Sequence, residues 1–387
     1  MLSNGNTETV FERDKFGDSV PRHFWSRPRA KSQRTYAILG LLVVALLIVC
    51  WTQVEAQERP IQIGVLAIGP RYIPAWRCGQ ADYRPGSEER KDDTMPFYVL
   101  GLLDQLKKLN YIEDTPENAG KPGRRFVLNL QTGTVEQLRV FTREFIAKPV
   151  DVIVAVATAT VSIAQEETRG HAIPILTTGV SDHVRYGFAQ SLARPGGLIT
   201  GVSHQVVQGS AKRVELFKEM MPSLKRLITL RVPGYIPSEK SMEEVRAAAD
   251  RLEIELLDWK VKNRAELQAA MAKVRRETAD GIMVLADSVI IANLDLVLET
   301  SLAQRVPAFG IMEYMANWGA IAANGPSAYQ AGGRIAGYLD KIAKGAKPGD
   351  LPIEPIDPEF VVNLKAAECH GVTIPLEVLS QADRVIR

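Results

Sequence analysis

From Pro60 onward, short apolar runs alternate with longer segments in which apolar residues recur at helical spacing. That alternation predicts βα units and a parallel sheet. Ile61–Ile68 (IQIGVLAI) reads as the first strand, and Phe97–Leu109 as the first helix after a long polar loop. Phe126–Leu130, Asp151–Val156 and Ile173–Thr178 read as further strands, with helices over Val135–Ile146 and Ala159–Glu167 between them. A second series opens with Leu198–Ser203 and continues through strands at Leu227–Val232, Ile254–Leu257, Gly281–Asp287 and Pro307–Ile311. Its helices are expected over Ala211–Met220, Glu239–Leu252, Ala265–Glu277 and Leu294–Ala303. A further helix at Ala328–Lys344 and an apolar segment near Phe360 close the pattern. The fold class this predicts is α/β: two Rossmann-like lobes with parallel sheets, and a chain that crosses between them more than once. Lobe 1 is expected to span residues 58–183 plus 318–350, and lobe 2 residues 184–317 plus 351–387.

The N-terminal segment differs in kind. The run Tyr36–Trp51 holds no charge and follows Arg22, Arg27, Arg29, Lys31 and Arg34. It is shorter than the roughly 20 residues of a spanning helix, which suits the hydrophobic stretch of a signal peptide. Val54, Glu55 and Ala56 fit a small-x-small cleavage site, so residues 1–56 are read as a leader cleaved before Gln57 or kept as a signal anchor. Both readings place the rest of the chain outside the cytoplasmic membrane, because basic flanks stay inside. The anchored form would touch the membrane through this segment. Val49 before Cys50 fits a lipobox poorly.

Composition narrows the function classes. At 46% hydrophobic and 24% charged, the 387-residue chain matches globular averages. The net charge of +2 offers no field for a polyanion, so no nucleic-acid partner is expected. Cys50, Cys78 and Cys369 have no CxxC spacing, and the histidines His23, His171, His183, His204 and His370 form no HExxH motif. GxSxG and Walker A motifs are absent as well. The sequence therefore implies no enzyme, no metal and no cofactor. His183 beside Asp182 is the one pair that could act as a base and its orienter.

Polar residues at predicted strand ends give the better lead, since ligands of open α/β sheets bind beyond the carboxyl ends of the strands. Thr158, Ala159 and Thr160 follow the strand Asp151–Val156, where a helix N-terminus would offer backbone N–H groups and hydroxyls to a carboxylate. Ser181 and Asp182 follow the next strand, Asp287 and Ser288 follow Gly281–Ala286, and Glu313 follows Pro307–Ile311. A helix N-terminus for an anion, with Asp287 or Glu313 for an ammonium, is what an amino-acid-like solute requires. Taken singly, Thr158, Ser181 and Ser288 also read as ordinary helix caps.

Several stretches resemble the ABC-transporter substrate-binding proteins that include tryptophan and tyrosine binders. They are SLARPGGLITGVS (Ser191–Ser203), KRVELFKEMMPSLKRL (Lys212–Leu227), DKIAKGAKPGDLPIE (Asp340–Glu354) and the closing FVVNLKAAECHGVTIPLEVLSQADRVI (Phe360–Ile386). The resemblance implies a type I periplasmic-binding-protein fold, a small-molecule solute captured by closure of two lobes around a hinge, and delivery to an ABC permease and its ATPase. By position it puts the ligand loops on Thr158–Thr160, Ser181–Val184 and Asp287–Ser288. His183 stands where the family usually has proline, Leu198 where it has asparagine, and ATAT where it has GTPA. The loop Arg71–Met95, with Trp76, Cys78 and Tyr83, is atypical and reads as a lid, a partner surface or a solvated insertion. In an oxidising compartment Cys78 and Cys369 are free to pair or to stay reduced. Trp76, Tyr314 and Trp318 could stack on a ligand ring or pack the hinge.

Overall fold

The computed structural model describes residues 59–68 and 96–387. The leader, Cys50, Trp76, Cys78 and the Arg71–Met95 loop with its Tyr83 lie outside the described residues. Among the described residues, no helix is long and apolar enough to cross a membrane.

The first sheet is built from β1 (Ile61–Ile68), β2 (Tyr111–Glu113), β3 (Arg124–Gly133), β4 (Val152–Val156), β5 (Ile175–Val180) and β6 (Ile199–Ser203). Helices α1 (Phe97–Lys108), α2 (Val135–Ala147) and α3 (Thr158–Glu167) lie between its strands. Alternate residues supply the two faces: Ile63, Val65, Val152 and Val154 go to one core, and Leu66, Ile153 and Ala155 to the other. Both faces are covered, which is why these strands read as continuous apolar runs. Helix α2 starts on a capping box, with the Thr134 hydroxyl accepting from the Gln137 amide and the Gln137 side chain accepting from the Thr134 amide.

The second sheet contains β7 (Arg226–Arg231), β8 (Glu255–Lys260), β9 (Gly281–Met283), β10 (Ala308–Gly310) and β11 (Ala322–Pro326). Its helices are α4 (Ser210–Met220), α5 (Ile236–Arg251), α6 (Arg264–Met271), α7 (Ser288–Ala292), α8 (Leu294–Ala303) and α9 (Glu313–Asn317). The chain then returns through α10 (Ala328–Ala343) and β12 (Glu354–Pro355) before β13 (Pro358–Asn363), α11 (Leu364–His370), α12 (Leu376–Gln381) and β14 (Arg384–Ile386). The strand orders are β12-β6-β5-β4-β1-β3-β2 and β14-β13-β11-β10-β9-β7-β8. Every pair is parallel except β11 with β13. In each sheet the first strand lies between the second long strand and the next one along, so β1/β4 and β7/β9 are the topological switch points.

Three crossings join the sheets: residues 204–209 between β6 and α4, Ser327 between β11 and α10, and residues 356–357 between β12 and β13. Helix α10 is fastened to α1 by two glycines. A Cβ on Gly101 would stand 1.9 Å from the Tyr329 carbonyl oxygen, and one on Gly332 1.9 Å from that of Tyr98. The returning helix therefore belongs to the first sheet although it follows the fifth strand of the second.

These pairings correct the expected divisions. The strand expected at Leu198–Ser203 to open the second lobe is β6, hydrogen-bonded to β5 in the first sheet. Residues 322–326, expected in lobe 1, form a central strand of the second sheet, and Glu354–Pro355, expected in lobe 2, pairs with β6. Sheet membership depends on hydrogen-bond partners distant in sequence, which local periodicity does not encode. The helix expected over Ala265–Glu277 stops at Met271, where Lys273 and Val274 donate to Ala270 and Met271 in successive turns.

Candidate functional site

The expected site residues fall on loops and helix starts at the carboxyl ends of the two sheets. Thr158, Ala159 and Thr160 form the first turn of α3, directly after β4. First-turn amides have no acceptor within their helix, and no side chain caps this one. Thr160 is fully buried, and its hydroxyl has no partner among the described residues. Thr158 is half-buried and Ala159 exposed. The preceding Ala157 has φ 75° and ψ 152°, a region that is essentially glycine's alone. It is held there by its amide donating to the Thr178 carbonyl at 2.8 Å and its carbonyl accepting from Val161 at 3.1 Å.

The loop after β5 places Asp182 in solvent, where its Oδ1 accepts from the Arg185 amide at 3.0 Å. Ser181 is half-buried, and its carbonyl accepts from the Ser203 hydroxyl at 3.3 Å. His183 turns away from Asp182 into the core, with Nε2 2.7 Å from the Thr177 hydroxyl and Nδ1 unpartnered among the described residues. Burial drives its pKa down to about 4, with the Asp182 charge opposing. The base-and-orienter arrangement is therefore not formed.

On the second sheet, Asp287 is fully buried and caps α7: Oδ1 accepts from the Val289 and Ile290 amides. Its Oδ2 accepts from the Val232 amide at 2.7 Å, which ties the end of β9 to the end of β7. Ser288 is exposed and lies near the Tyr235 hydroxyl, where it opposes the rise in that group's pKa. Glu313 is buried, with Oε1 accepting from the Ser327 hydroxyl at 3.3 Å and the Tyr329 amide at 3.2 Å, while Oε2 has no partner among the described residues. Burial raises its pKa to about 7 against the backbone N–H groups that favour its charge. It thus serves the crossing at Ser327 and the start of α10.

Sequence reasoning missed two residues here, His204 and Tyr235. His204, where the chain leaves β6, is buried with Nε2 3.0 Å from the Thr178 hydroxyl, and its pKa falls to about 4 through burial and the neighbouring His183. Its signal was a polar residue directly after an apolar strand, obscured by assigning that strand to the other lobe. Tyr235, after β7, lies within electrostatic reach of Tyr186 from the β5–β6 loop. Burial, more than that neighbour, holds its pKa up. Tyr314 and Trp318 lie with centroids 4.5 Å apart, and Tyr314 stacks on Phe97 of α1 at 6.3 Å and 13°. These aromatics pack between the two lobes.

Among the described residues, no cluster of histidine, cysteine, aspartate and glutamate could hold a metal. Among the described residues, the geometry provides uncapped helix amides and a buried, unpartnered hydroxyl at the start of α3, and no nucleophile is assembled with a base.

The chain is 23% identical over 311 residues to the tyrosine-binding protein of Clostridioides difficile, covering 76% of this chain and 88% of that protein. Its fold is similar to that of a conserved domain protein of Vibrio cholerae (TM-score 0.64, 26% identity, 84% of this chain and 100% of that one). It is also similar to an ABC domain of Streptococcus pneumoniae in complex with L-Trp (TM-score 0.61, 21% identity, 84% and 100%). The family whose profile matches is one of binding proteins, not of enzymes. Residues 93–386 match the profile of ABC transporter substrate binding proteins, and the chain belongs to that family.

Proposed function

We propose that this solute-binding protein works outside the cytoplasmic membrane and captures an amino acid between its two lobes for delivery to an ABC permease and its ATPase. The observation that carries the reading is the start of α3, where uncapped amides and the unpartnered Thr160 hydroxyl stand at the carboxyl edge of the first sheet. That arrangement suits a carboxylate. Thr158, Ala159 and Thr160 take the carboxylate, while Asp182 and the remaining lone pairs of Asp287 set a negative field for an ammonium. Ser181 and Ser288 supply further hydroxyls, and Glu313 acts at the hinge. Relatives that bind tyrosine and L-Trp support an aromatic side chain as the cargo.

A thermal-shift panel of amino acids, small carboxylates and sugars tests this, because a ligand selective for the folded state raises the midpoint. L-tyrosine or L-tryptophan is expected to give the largest shift. Replacing Thr160 with valine removes one hydrogen bond to a charged group and is expected to weaken that ligand by about tenfold. A sugar-only response would overturn the amino-acid reading. The leader has a second reading, as an anchor of a sensory module, motivated by the long basic stretch before the apolar run. Retention of Met1 in the exported protein would favour it.

A further inference from the structure

Arg213, on the first turn of α4, is 3% exposed and makes no ion pair among the described residues. Its Nε donates to the Asn324 carbonyl at 2.6 Å, Nη1 to the Ser210 hydroxyl at 3.1 Å, and Nη2 to the Gln208 carbonyl at 3.5 Å. Gln208 lies in the first crossing between the sheets, and Asn324 is on β11, three residues before the second crossing at Ser327. One planar cation thus touches two chain segments that are far apart in sequence and pass between the same two lobes. The carboxylate acting on Arg213, Glu244, is itself occupied by the Ser210 and Ala211 amides at the start of α4. The guanidinium is left to backbone oxygens and one hydroxyl, an expensive arrangement for a buried cation unless each contact is kept.

We infer that Arg213 is a positioning residue that clasps the first and second crossings, so that the two bend together as one hinge. A lysine cannot take its place, because an ammonium lacks the planar fork that reaches both segments. At the second crossing itself the Glu313 carboxylate accepts from Ser327 and Tyr329. The benefit for solute capture rests on the reading that the lobes close on their ligand, whereas the clasp itself can be measured without any ligand.

The test is hydrogen exchange by mass spectrometry on the ligand-free full-length protein, comparing wild type with R213K, R213M and S210A. The arginine variants are expected to raise exchange about tenfold at residues 204–211 and 324–329 together, with β7 unchanged. S210A removes the bond to the Val207 carbonyl in the first crossing and one of the three arginine contacts while leaving Nε on the Asn324 carbonyl, and is expected to raise exchange at residues 204–211 with 324–329 little changed. An increase confined to one crossing in R213K, or spread evenly through the second sheet, would overturn the clasp. R213K keeps the buried charge, so the comparison survives if R213M does not fold. A clasp confirmed beside a silent ligand panel would leave this inference standing and count against the solute reading.

Discussion

Ala157 and Gly179 lie side by side with positive φ angles of 75° and 73°, and a Cβ on Gly179 would stand 3.1 Å from the Ala157 amide nitrogen. The loops after β4 and β5 therefore approach backbone to backbone, and only one of the two positions carries the residue suited to it. At position 157 this chain accepts the cost of an alanine in a conformation that suits glycine.

Replacing Ala157 with glycine is expected to stabilise the protein by about 1 kcal/mol, the relief of strain exceeding the entropy glycine adds to the unfolded chain. Urea denaturation measures it. The converse change, Gly179→Ala, is expected to destabilise by about 1–3 kcal/mol. Equal stability of A157G and wild type would show that the loop relaxes without strain.

The buried histidines set an acid limit. His183, His204 and His370 each have a folded pKa near 4, below the usual 6.5, with burial the first cause in all three. The folded state therefore binds fewer protons, so the stability they confer is present above pH 6.5 and is lost as pH falls toward 4. Between pH 7.5 and 5 the loss is expected to be about 2 kcal/mol per histidine. His204→Gln should flatten the pH dependence of the urea midpoint in that window. An unchanged slope would place the proton uptake elsewhere.

Glu313 acts with the opposite sign. Its folded pKa of about 7 lies above the usual 4.5, so its contribution is present below pH 4.5 and is lost as pH rises through 7. Glu313→Gln keeps an acceptor for Ser327 and Tyr329 without a buried charge. It is expected to gain about 2 kcal/mol over wild type at pH 8 and little at pH 5. A variant equally stable at both pH values relative to wild type would mean that Glu313 is solvated.

Cys369 is disulfide-bonded, and the two other cysteines, Cys50 and Cys78, lie outside the described residues. Cleavage before Gln57 would leave Cys78 as the remaining partner within the chain. Non-reducing peptide mapping of the exported protein is expected to recover Cys78 linked to Cys369. A Cys50–Cys369 link would show instead that the leader is retained.

What the sequence made legible follows from what is local. IQIGVLAI and DVIVAV announce buried parallel strands because both faces of each are covered, and the ends of the predicted strands are what made Thr158, Ser181, Asp287 and Glu313 candidates. The short edge strands β2, β12 and β14 pass unnoticed, since two or three residues carry no period. Leu198–Ser203 was recognisable as a strand but not as a member of the first sheet. Asp287 and Glu313 were recognisable as polar strand-end residues, yet their occupation by backbone amides arises from folded geometry. Arg213 gave no signal at all, being one cation among many on a helix whose neighbours are a crossing loop and a strand more than a hundred residues away.

The three crossings also bear on the order in which the chain can be assembled. The first sheet lacks its edge strand until Glu354–Pro355 is available, and the second lacks β13 and β14 until the last residues. The first sheet cannot be completed before residue 355 is made, nor the second before residue 386, and pairings over such long separations form slowly. A polypeptide wired in this way keeps its second sheet open, and so stays threadable, until the last strand is made.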